Sequence, residues 1–222
     1  MTSSYPNDRL LQNTFNVFDE SDDVQSFLGR LDPDSNIYND VQAQMTCDFY
    51  QLSSLSEKLR QIPGTNHNAQ IPFSMIHHNV RSANRNFAEL DALLHTLPLS
   101  FSVIALSETW LHESNVESFS SPGYQHVYNC REGREGGGVS LLIGDKINFR
   151  RRDDLSMMTE YLEAVFIEIN GETAQSNTIA GVIYRPPNTS IDDFRLKLDG
   201  ILGVIDRERK PCYLSGDFNI NI

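Results

Sequence analysis

The sequence predicts a mixed α/β (α+β) domain, in which helices cover β-sheet, over residues 71–222. Short apolar segments of strand length alternate there with two segments whose apolar residues recur at helical spacing. Two of the strand segments flank Asn170-Gly171, a turn typical of a β-hairpin. Mixed hairpins and helices favour a layered sheet. Two sheets packed face to face with helices outside would fit, although periodicity alone does not decide that step.

Six strands and two helices can be assigned along this part of the chain. The predicted strands are Phe73–His77, Phe101–Leu106, Val139–Ile143, Tyr161–Ile169, Thr178–Tyr184 and Pro211–Leu214. A capping box at Asn86–Glu89 is expected to open the first helix, with an inner face of Phe87, Leu90, Leu94 and Leu97. Ser190 with Asp193 is expected to open the second, whose inner face would carry Ile191, Phe194, Leu198, Ile201, Leu202 and Ile205.

Residues 1–70 differ from the rest of the chain. They are acidic and polar with scattered apolar residues, and residues 61–72 have the Pro and Gly content of a linker. This composition predicts a mostly disordered leader. A segment that binds a partner is the alternative.

The net charge of −12 argues against tight binding of nucleic acid, because proteins that grip phosphate backbones usually carry a basic surface. Arg150–Arg152 is the best candidate for nonspecific phosphate contact, although a solvated run is the more frequent outcome. A divalent cation could still supply positive charge locally. A nucleic-acid partner would therefore be bound weakly as far as charge is concerned.

The cysteines and the apolar segments indicate the cellular compartment in which the protein is expected. Three widely spaced cysteines form neither a disulfide framework nor a metal spacing, which favours an intracellular protein, in the nucleus or the cytoplasm. The N-terminus lacks the apolar region of a secretory signal. The apolar runs are shorter than a membrane span, so no membrane partner is expected.

Four of the predicted strands end in a polar residue. These residues are Asn79, Glu108, Tyr184 and Asp217, and Asn219 follows two positions after the last. Strand ends of this kind can bring their side chains to one rim of a sheet, where ligand sites of layered folds are common. Their chemistry suggests a site for a hard cation with hydrogen-bonding neighbours.

These residue types suit phosphodiester hydrolysis. Mg²⁺ prefers oxygen ligands and keeps several waters, so Glu108 is the first choice of ligand. Asp217 can orient or deprotonate an attacking water. Asn79 and Asn219 can hold a metal-bound water or a phosphate oxygen without adding negative charge. The Tyr184 phenol can donate to the charge that develops on the phosphate.

Five strings along the chain resemble, in order, the motifs of the endonuclease/exonuclease/phosphatase superfamily. They are HNVRS (78–82), SETW (107–110), GGGVSLLI (136–143), VIYRPPN (182–188) and SGDFNIN (215–221). The match is best to the apurinic-endonuclease-like domain of LINE-type (non-LTR) retrotransposon polyproteins. The resemblance implies a four-layered αββα sandwich of the DNase I-like type, Mg²⁺ or Mn²⁺, and single-strand nicking of DNA.

The same resemblance distributes roles over the residues. It assigns Asn79 and Glu108 to the metal and its water, Tyr184 to the phosphate, and Asp217 with Asn219 to the nucleophile and the phosphate. The family pattern continues beyond GDFN to another Asp and an Asp-His pair, whereas no His follows His126 here. We therefore expect a domain that is incomplete at its C-terminus, inactive or nearly so as it stands. Element RNA or a polymerase region is expected only in a longer chain.

Several other residues allow both a functional and a purely structural interpretation. Arg185 could contact DNA or form a salt bridge, and His78 is assigned to the substrate because phosphate contact is a better expectation for it than metal binding. His77 beside it most often serves packing. Trp110 is interpreted as a core or rim aromatic. Gly136–Gly138 lacks the Lys and the helix of a P-loop, which favours a turn or a close backbone approach.

Two alternatives to a DNA-nicking endonuclease stay open. One is a phosphatase or phosphodiesterase of the same superfamily that acts on a small substrate, which the acidic charge favours. The other is a noncatalytic, truncated or co-opted chain that binds a partner through residues 1–70.

Overall fold

A computed structural model of the chain describes residues 73–97, 100–133, 136–171 and 176–220. The predicted leader and the linker lie outside the described residues. In order, the strands of the described part are β1 (Met75–Asn79), β2 (Val103–Ser107), β3 (Tyr124–Asn129), β4 (Val139–Gly144), β5 (Phe149–Arg151), β6 (Met157–Met158), β7 (Glu163–Ile169), β8 (Thr178–Tyr184) and β9 (Cys212–Asp217). The helices are α1 (Ala83–Thr96) and α2 (Ile191–Glu208), with a short 3₁₀ turn at Val116–Ser118.

The strands form two sheets. The first has the order β1-β2-β4-β3, in which β1 and β2 are parallel and the other neighbours antiparallel. The second has the order β5-β7-β8-β9, with β6 also paired to β7, and β8 and β9 are parallel. The predicted hairpin is confirmed, because β7 and β8 pair in antiparallel register from Glu163 opposite Tyr184 to Ile169 opposite Thr178.

The two sheets pack face to face, with a helix on the outer side of each. Alternate residues of both sheets, such as Val103 and Val182, share one apolar cluster between them. The other face of the first sheet packs on α1 through residues such as Ile104 and Phe87. The other face of the second sheet packs on α2 through residues such as Phe166. The chain therefore has the four-layered αββα arrangement.

The first helix begins earlier than its predicted capping box. Ala83 is its first residue, and Ser82 precedes it without a side-chain capping bond. Asn86 already lies one turn inside, where its amide donates to the carbonyl oxygens of Val80 (2.9 Å) and Arg81 (2.8 Å). The capping box was therefore wrong, because Asn86 anchors the preceding loop to the helix instead. Phe87 and Leu90 are buried as predicted.

The second helix starts as the sequence predicts. Ser190 Oγ accepts a hydrogen bond from the backbone N–H of Asp193 at 3.2 Å. Phe194, Ile201 and Ile205 are buried against the sheet. Ile191 and Leu202 were wrongly placed on that face, since they are 51% and 41% exposed. Leu202 lies at the margin of the apolar face and Ile191 is the first helical residue. Of the described helices, neither is long and apolar enough to cross a membrane.

Candidate active site

Four strand ends from two sheets meet at one rim of the sandwich. In the first sheet, Asn79 ends β1 opposite Ser107, and Glu108 follows directly after β2. In the second sheet, Tyr184 ends β8 opposite Asp217, which ends β9. Both strand pairs are parallel, so the carboxyl ends of all four strands can lie at the same rim. The order of the elements alone would not bring the two rims together; the packing of the sheets does.

A short hydrogen-bond chain joins the four side chains. Asn79 Nδ2 donates to Glu108 Oε1 at 2.9 Å and to Asp217 Oδ2 at 2.6 Å. Tyr184 Oη donates to the same Glu108 oxygen at 3.2 Å. The backbone N–H of Asn219 donates to Asp217 Oδ1 at 3.1 Å. The structure thus brings together all five residues that the strand endings single out; their catalytic and metal roles stay predictions.

The local charge of this rim is negative. Burial, followed by the charge and hydrogen bond of Glu108 and the charges of Glu163 and Asp217, raises the pKa of the Tyr184 phenol. The phenol is therefore protonated at neutral pH and can act as a hydrogen-bond donor. A cation at this rim would relieve the accumulated negative charge.

The donor set fits a hard cation that keeps most of its water. Two carboxylates, Glu108 and Asp217, reach the same amide nitrogen, and one or two carboxylates suffice for Mg²⁺. Among the described residues, no group of three or more His, Cys, Asp or Glu side chains is arranged to hold a metal. The Asn79 amide nitrogen donates to both carboxylates, and its Oδ1 accepts from the Arg81 N–H at 3.2 Å; the assignment of Asn79 as a metal ligand stays a prediction. The position of Asn79 fits a residue that orients the two carboxylates.

The loops that carry the site have a constrained backbone. Glu108 adopts φ 52 and Trp110 φ 53, and Arg81 and Ser82 on the neighbouring loop adopt φ 43 and 93. Non-glycine residues seldom occupy this left-handed region, and those that do are concentrated at functional sites. The two loops are bonded side by side, since the Ser82 N–H donates to the Glu108 carbonyl at 2.8 Å. This bond helps to hold the backbone of Glu108 in its left-handed conformation.

Arg185 holds two loops together from a buried position. Its guanidinium donates to the carbonyl oxygens of Phe218 (3.2 Å), Asn219 (2.6 Å) and Thr189. The Asn219 amide in turn donates to the Arg185 carbonyl at 2.8 Å. Arg185 is only 4% exposed. This geometry favours a role in positioning the loop after Asp217 over the predicted contact with substrate, and the guanidinium forms no salt bridge with a described residue.

The two histidines of β1 face opposite sides of their strand. His77 shares the inter-sheet face with Asn79, is buried, and lies 3.1 Å from Ser107 Oγ through Nε2. Burial, with the charge of His78 as a smaller cause, lowers the pKa of His77 to about 3. His78 points to the other face of the sheet. Strand alternation directs His78 away from the face that carries Asn79, so this geometry gives no support to its contact with the substrate, which stays a prediction.

Glu163 is a buried neighbour of the site that the sequence analysis missed. It is opposite Tyr184 in the hairpin, pairs with Arg131, and accepts a hydrogen bond from the Gly138 N–H at 2.6 Å. Burial raises the pKa of its carboxyl despite the opposing charge of Arg131. A Glu inside the apolar segment LEAVF was the available signal, because a buried carboxylate requires a partner.

The glycine run is a turn, as the sequence favoured. Gly136, Gly137 and Gly138 have φ values of 82, 65 and 84, and a Cβ at Gly137 would lie 2.4 Å from the Arg131 guanidinium. The Trp110 N–H donates to the Gly137 carbonyl at 2.9 Å. The turn therefore supports the loop that contains Glu108.

The arginine run is occupied by internal ion pairs. Arg150 pairs with Glu168, and Arg151 with Asp153. Arg152 is buried and pairs with Asp154, Glu168 and Glu208. The run is consequently a poor candidate for phosphate contact, because neighbouring carboxylates already neutralise its charges.

No protein-family model and no curated protein matches the sequence. Among the solved structures to which the chain is similar, one is described as an endonuclease/exonuclease/phosphatase family protein, the superfamily that the sequence motifs resemble. The endonuclease domain of TRAS1, a telomere-specific non-LTR retrotransposon, shares 16% identity with a TM-score of 0.48, over 65% of this chain and 59% of that one. The human Nocturnin catalytic domain shares 17% with a TM-score of 0.47, over 66% and 63%.

An endonuclease/exonuclease/phosphatase family protein from Bacteroides thetaiotaomicron shares 15% identity with a TM-score of 0.42, over 64% of this chain and 62% of that one. The chain spans about three fifths of the length of these three structures.

Proposed function

We propose that this chain carries the site of a metal-dependent phosphodiester hydrolase that nicks DNA, as the endonuclease part of a non-LTR retrotransposon reverse transcriptase polyprotein. The observation that carries the proposal is the Asn79 amide, which bridges Glu108 and Asp217 across the two sheets. The motif SETW and the spacing of YRPP favour DNA among possible phosphodiesters.

Each residue of the site has a distinct task in this proposal. Glu108 and Asp217 would hold Mg²⁺ or Mn²⁺, which supplies positive charge against the phosphate oxygens. Asp217, fixed by the Asn219 N–H, orients the attacking water. Tyr184, kept protonated by its surroundings, donates a hydrogen bond to a phosphate oxygen. Asn79 keeps the two carboxylates at a fixed separation.

The resemblance also assigns an Asp-His pair to the site, in which the His holds the phosphate and the Asp orients that His. The 222 residues of this sequence do not contain this pair. Absence of one positioned acid–base group typically costs on the order of 10²–10⁴ in rate. We therefore expect slow hydrolysis at best from these residues alone, together with normal binding of the cation.

A small phosphate ester is the second candidate substrate. The observation that favours it is electrostatic: the chain has a net charge of −12, and Arg150–Arg152 is engaged in ion pairs. Such a surface attracts a long polyanion poorly. A small ester needs only the local charge of the cation.

Cation binding and hydrolysis test the proposal separately. Electron paramagnetic resonance should detect one Mn²⁺ bound to the chain, with strongly weakened binding in Glu108→Gln and Asp217→Asn. Asp145→Asn, which changes an exposed carboxylate in a turn, is the matched control and should bind as the unmodified chain does. Equal binding by all four proteins would overturn the assignment of the metal site.

Hydrolysis is measured on supercoiled plasmid and on bis(p-nitrophenyl) phosphate, with Mg²⁺ or Mn²⁺ and with chelator. Slow, chelator-sensitive nicking that is lost in Glu108→Gln supports the DNA-nicking endonuclease. Cleavage of the small ester without nicking of the plasmid would show that the substrate is a small phosphate ester and not DNA. Absence of both reactions, even in a longer chain that supplies the Asp-His pair, overturns the enzymatic proposal in favour of a noncatalytic binding protein.

A further inference from the structure

An exposed aromatic ring stands beside the candidate active site. Trp110 is 41% exposed and lies two residues after Glu108 on the same loop. It is the single tryptophan of the chain. An aromatic face at this exposure is available for contact with a ligand outside the chain.

Trp110 lines a cleft that is large enough for a nucleotide. The cleft has a volume of about 780 Å³ and lies between the start of α1, the loop after Glu108, and the chain before β4. Sites for small ligands usually enclose roughly 300–1,000 Å³. Its polar lining includes Asn84, Arg85, His112 and Asn115, and also the acidic residues Glu113 and Glu132. An aromatic ring among hydrogen-bonding groups is suited to a base with polar edges.

The loops that line the cleft are continuous with the loops that carry Asn79 and Glu108. The Ser82 N–H donates to the Glu108 carbonyl, so the loop that carries Asn79 is fastened to the loop that carries Glu108. On the other side the Trp110 N–H donates to the Gly137 carbonyl. A Cβ at Gly136 would lie 4.0 Å from Trp110 Nε1, so the indole edge stands next to the glycine turn. The ring is thus fixed relative to the carboxylates.

Positive charge lies in the cleft and next to it, because Arg85 lines the cleft and Arg81 immediately precedes Ser82, which also lines it. Arg81 and Arg85 are both exposed, and neither forms an ion pair with a residue that the structure describes. This distinguishes them from Arg150–Arg152, each of which has an acidic partner. Two unpaired guanidinium groups beside an exposed indole match the phosphate and the base of a nucleotide.

We propose that this cleft binds one nucleotide of the strand that flanks the reacting phosphate, with its unpaired base stacked on Trp110 and its phosphate near Arg81 and Arg85. The inference rests on the proposed function only for the choice of a nucleic acid as ligand. Stacking on an aromatic ring tolerates any base, since every base has a π face. The cleft therefore contributes affinity and strand position, and little sequence preference.

The single tryptophan makes the proposal directly measurable. The whole chain is titrated in chelator, where hydrolysis cannot interfere, with a deoxyadenosine octamer and with an octamer of abasic deoxyribose phosphates. Saturable quenching of Trp110 fluorescence by the first and not by the second is the expected result. Equal quenching by both, or none by either, overturns the proposal.

Variants test the contacts through the anisotropy of a labelled octamer. Trp110→Leu should weaken binding about ten-fold or more, and Trp110→Phe should weaken it less because a ring face is retained. Arg85→Ala should also weaken binding, whereas the matched control Arg195→Ala, an exposed arginine on α2, should not. Unfolding transitions of all variants must match that of the unmodified chain. Equal affinity of Trp110→Leu and the unmodified chain overturns the proposal.

The outcomes separate this inference from the proposed function. Base-dependent quenching in a protein that never hydrolyses DNA would support the nucleotide cleft and contradict the proposed enzymatic function. Metal-dependent nicking without base-dependent quenching would support the enzymatic function and contradict the proposed nucleotide cleft.

Discussion

Asn79 Nδ2 lies 2.6 Å from Asp217 Oδ2, although 138 positions separate the two residues in the chain. The hydrogen bond crosses from the first sheet to the second. The amide also separates Asp217 from Glu108, whose oxygen accepts from the same nitrogen. The candidate site is consequently a contact between the two halves of the sandwich, and its stability and its chemistry are linked.

Asn79→Asp should destabilise the cation-free chain. The change replaces a donor shared by two carboxylates with a third carboxylate, which costs roughly 1–3 kcal/mol at neutral pH. The pKa of the new carboxyl would be raised, so the deficit is absent at acidic pH and develops as pH rises through that raised pKa. Saturating Mn²⁺ should remove most of it. Urea unfolding at pH 7 and pH 5, with and without Mn²⁺, measures these effects.

The matched control for that change is Asn148→Asp, at an exposed position. It should alter the free energy of unfolding by no more than about 0.5 kcal/mol. An Asn79→Asp protein as stable as the control in chelator would contradict the bridging role of the amide.

Arg152→Ala should lower the free energy of unfolding by about 3 kcal/mol. Arg152 is buried and donates to Glu168, which is itself buried, at 3.0 Å, and also to Glu208. The loss is moderated because Lys210 still pairs with Glu168 at 2.7 Å. Urea unfolding monitored by far-ultraviolet circular dichroism gives the difference.

Arg151→Ala is the matched control for that substitution. Its guanidinium is more exposed and pairs with Asp153, which is largely exposed. Exposed pairs contribute about 0–1 kcal/mol. Similar losses from both alanine variants would show that the buried network is not a special source of stability.

His126 should make the fold sensitive to mild acid. Burial, opposed by the smaller effect of Glu117, lowers the pKa of His126 from 6.5 to about 4, and its Nε2 lies 2.9 Å from Ser140 Oγ. The unfolded chain therefore binds a proton that the folded chain does not, and stability falls as pH drops from about 6.5 to about 4. The loss between pH 7 and pH 5 from this one residue is about 2 kcal/mol.

His126→Gln, which can retain a hydrogen bond to Ser140, should remove that share of the acid sensitivity. Free energies of unfolding at pH 7 and pH 5 are compared for the two proteins. An identical pH dependence of the two proteins would mean that the pKa of His126 is the same in the folded and unfolded chains.

Gly137→Ala should destabilise the turn before β4, whereas Gly200→Ala should stabilise α2. An alanine at position 137 would have to adopt φ +65, which L residues seldom do. Its Cβ would also lie 2.4 Å from the Arg131 guanidinium. A Cβ at Gly200 would meet nothing within 4 Å, and alanine favours a helix interior by about 0.5–1 kcal/mol. Melting temperatures should move in opposite directions. Shifts of the same sign would contradict the positional argument.

The helices and strands with regular apolar spacing could be predicted from the sequence. The strands from Val139, Glu163 and Thr178 form long buried runs, and α2 starts at a residue whose side chain caps it. The polar strand endings also indicated which side chains could meet. Their meeting depends on sheet packing, which no local pattern of residues encodes.

Other features depend on tertiary contacts and left weak local signals. The strand from Tyr124 is only partly buried, and the strand from Phe149 ends in two arginines, whose charges are satisfied elsewhere. Arg185 resembled a substrate ligand because its distant carbonyl partners lie 33 and 34 positions along the chain. The pair of Arg131 with Glu163 is likewise separated by 32 positions.

The parallel pairing of β1 with β2 and of β8 with β9 bears on the order of folding. The antiparallel neighbours β3–β4 and β7–β8 are close in sequence and can form early, because short loops are inexpensive to close. The parallel pairs need longer excursions of the chain, and contacts of that kind form slowly. During synthesis, Glu108 and Tyr184 therefore precede Asp217, and a nascent chain acquires its paired carboxylates only after β9 has been added.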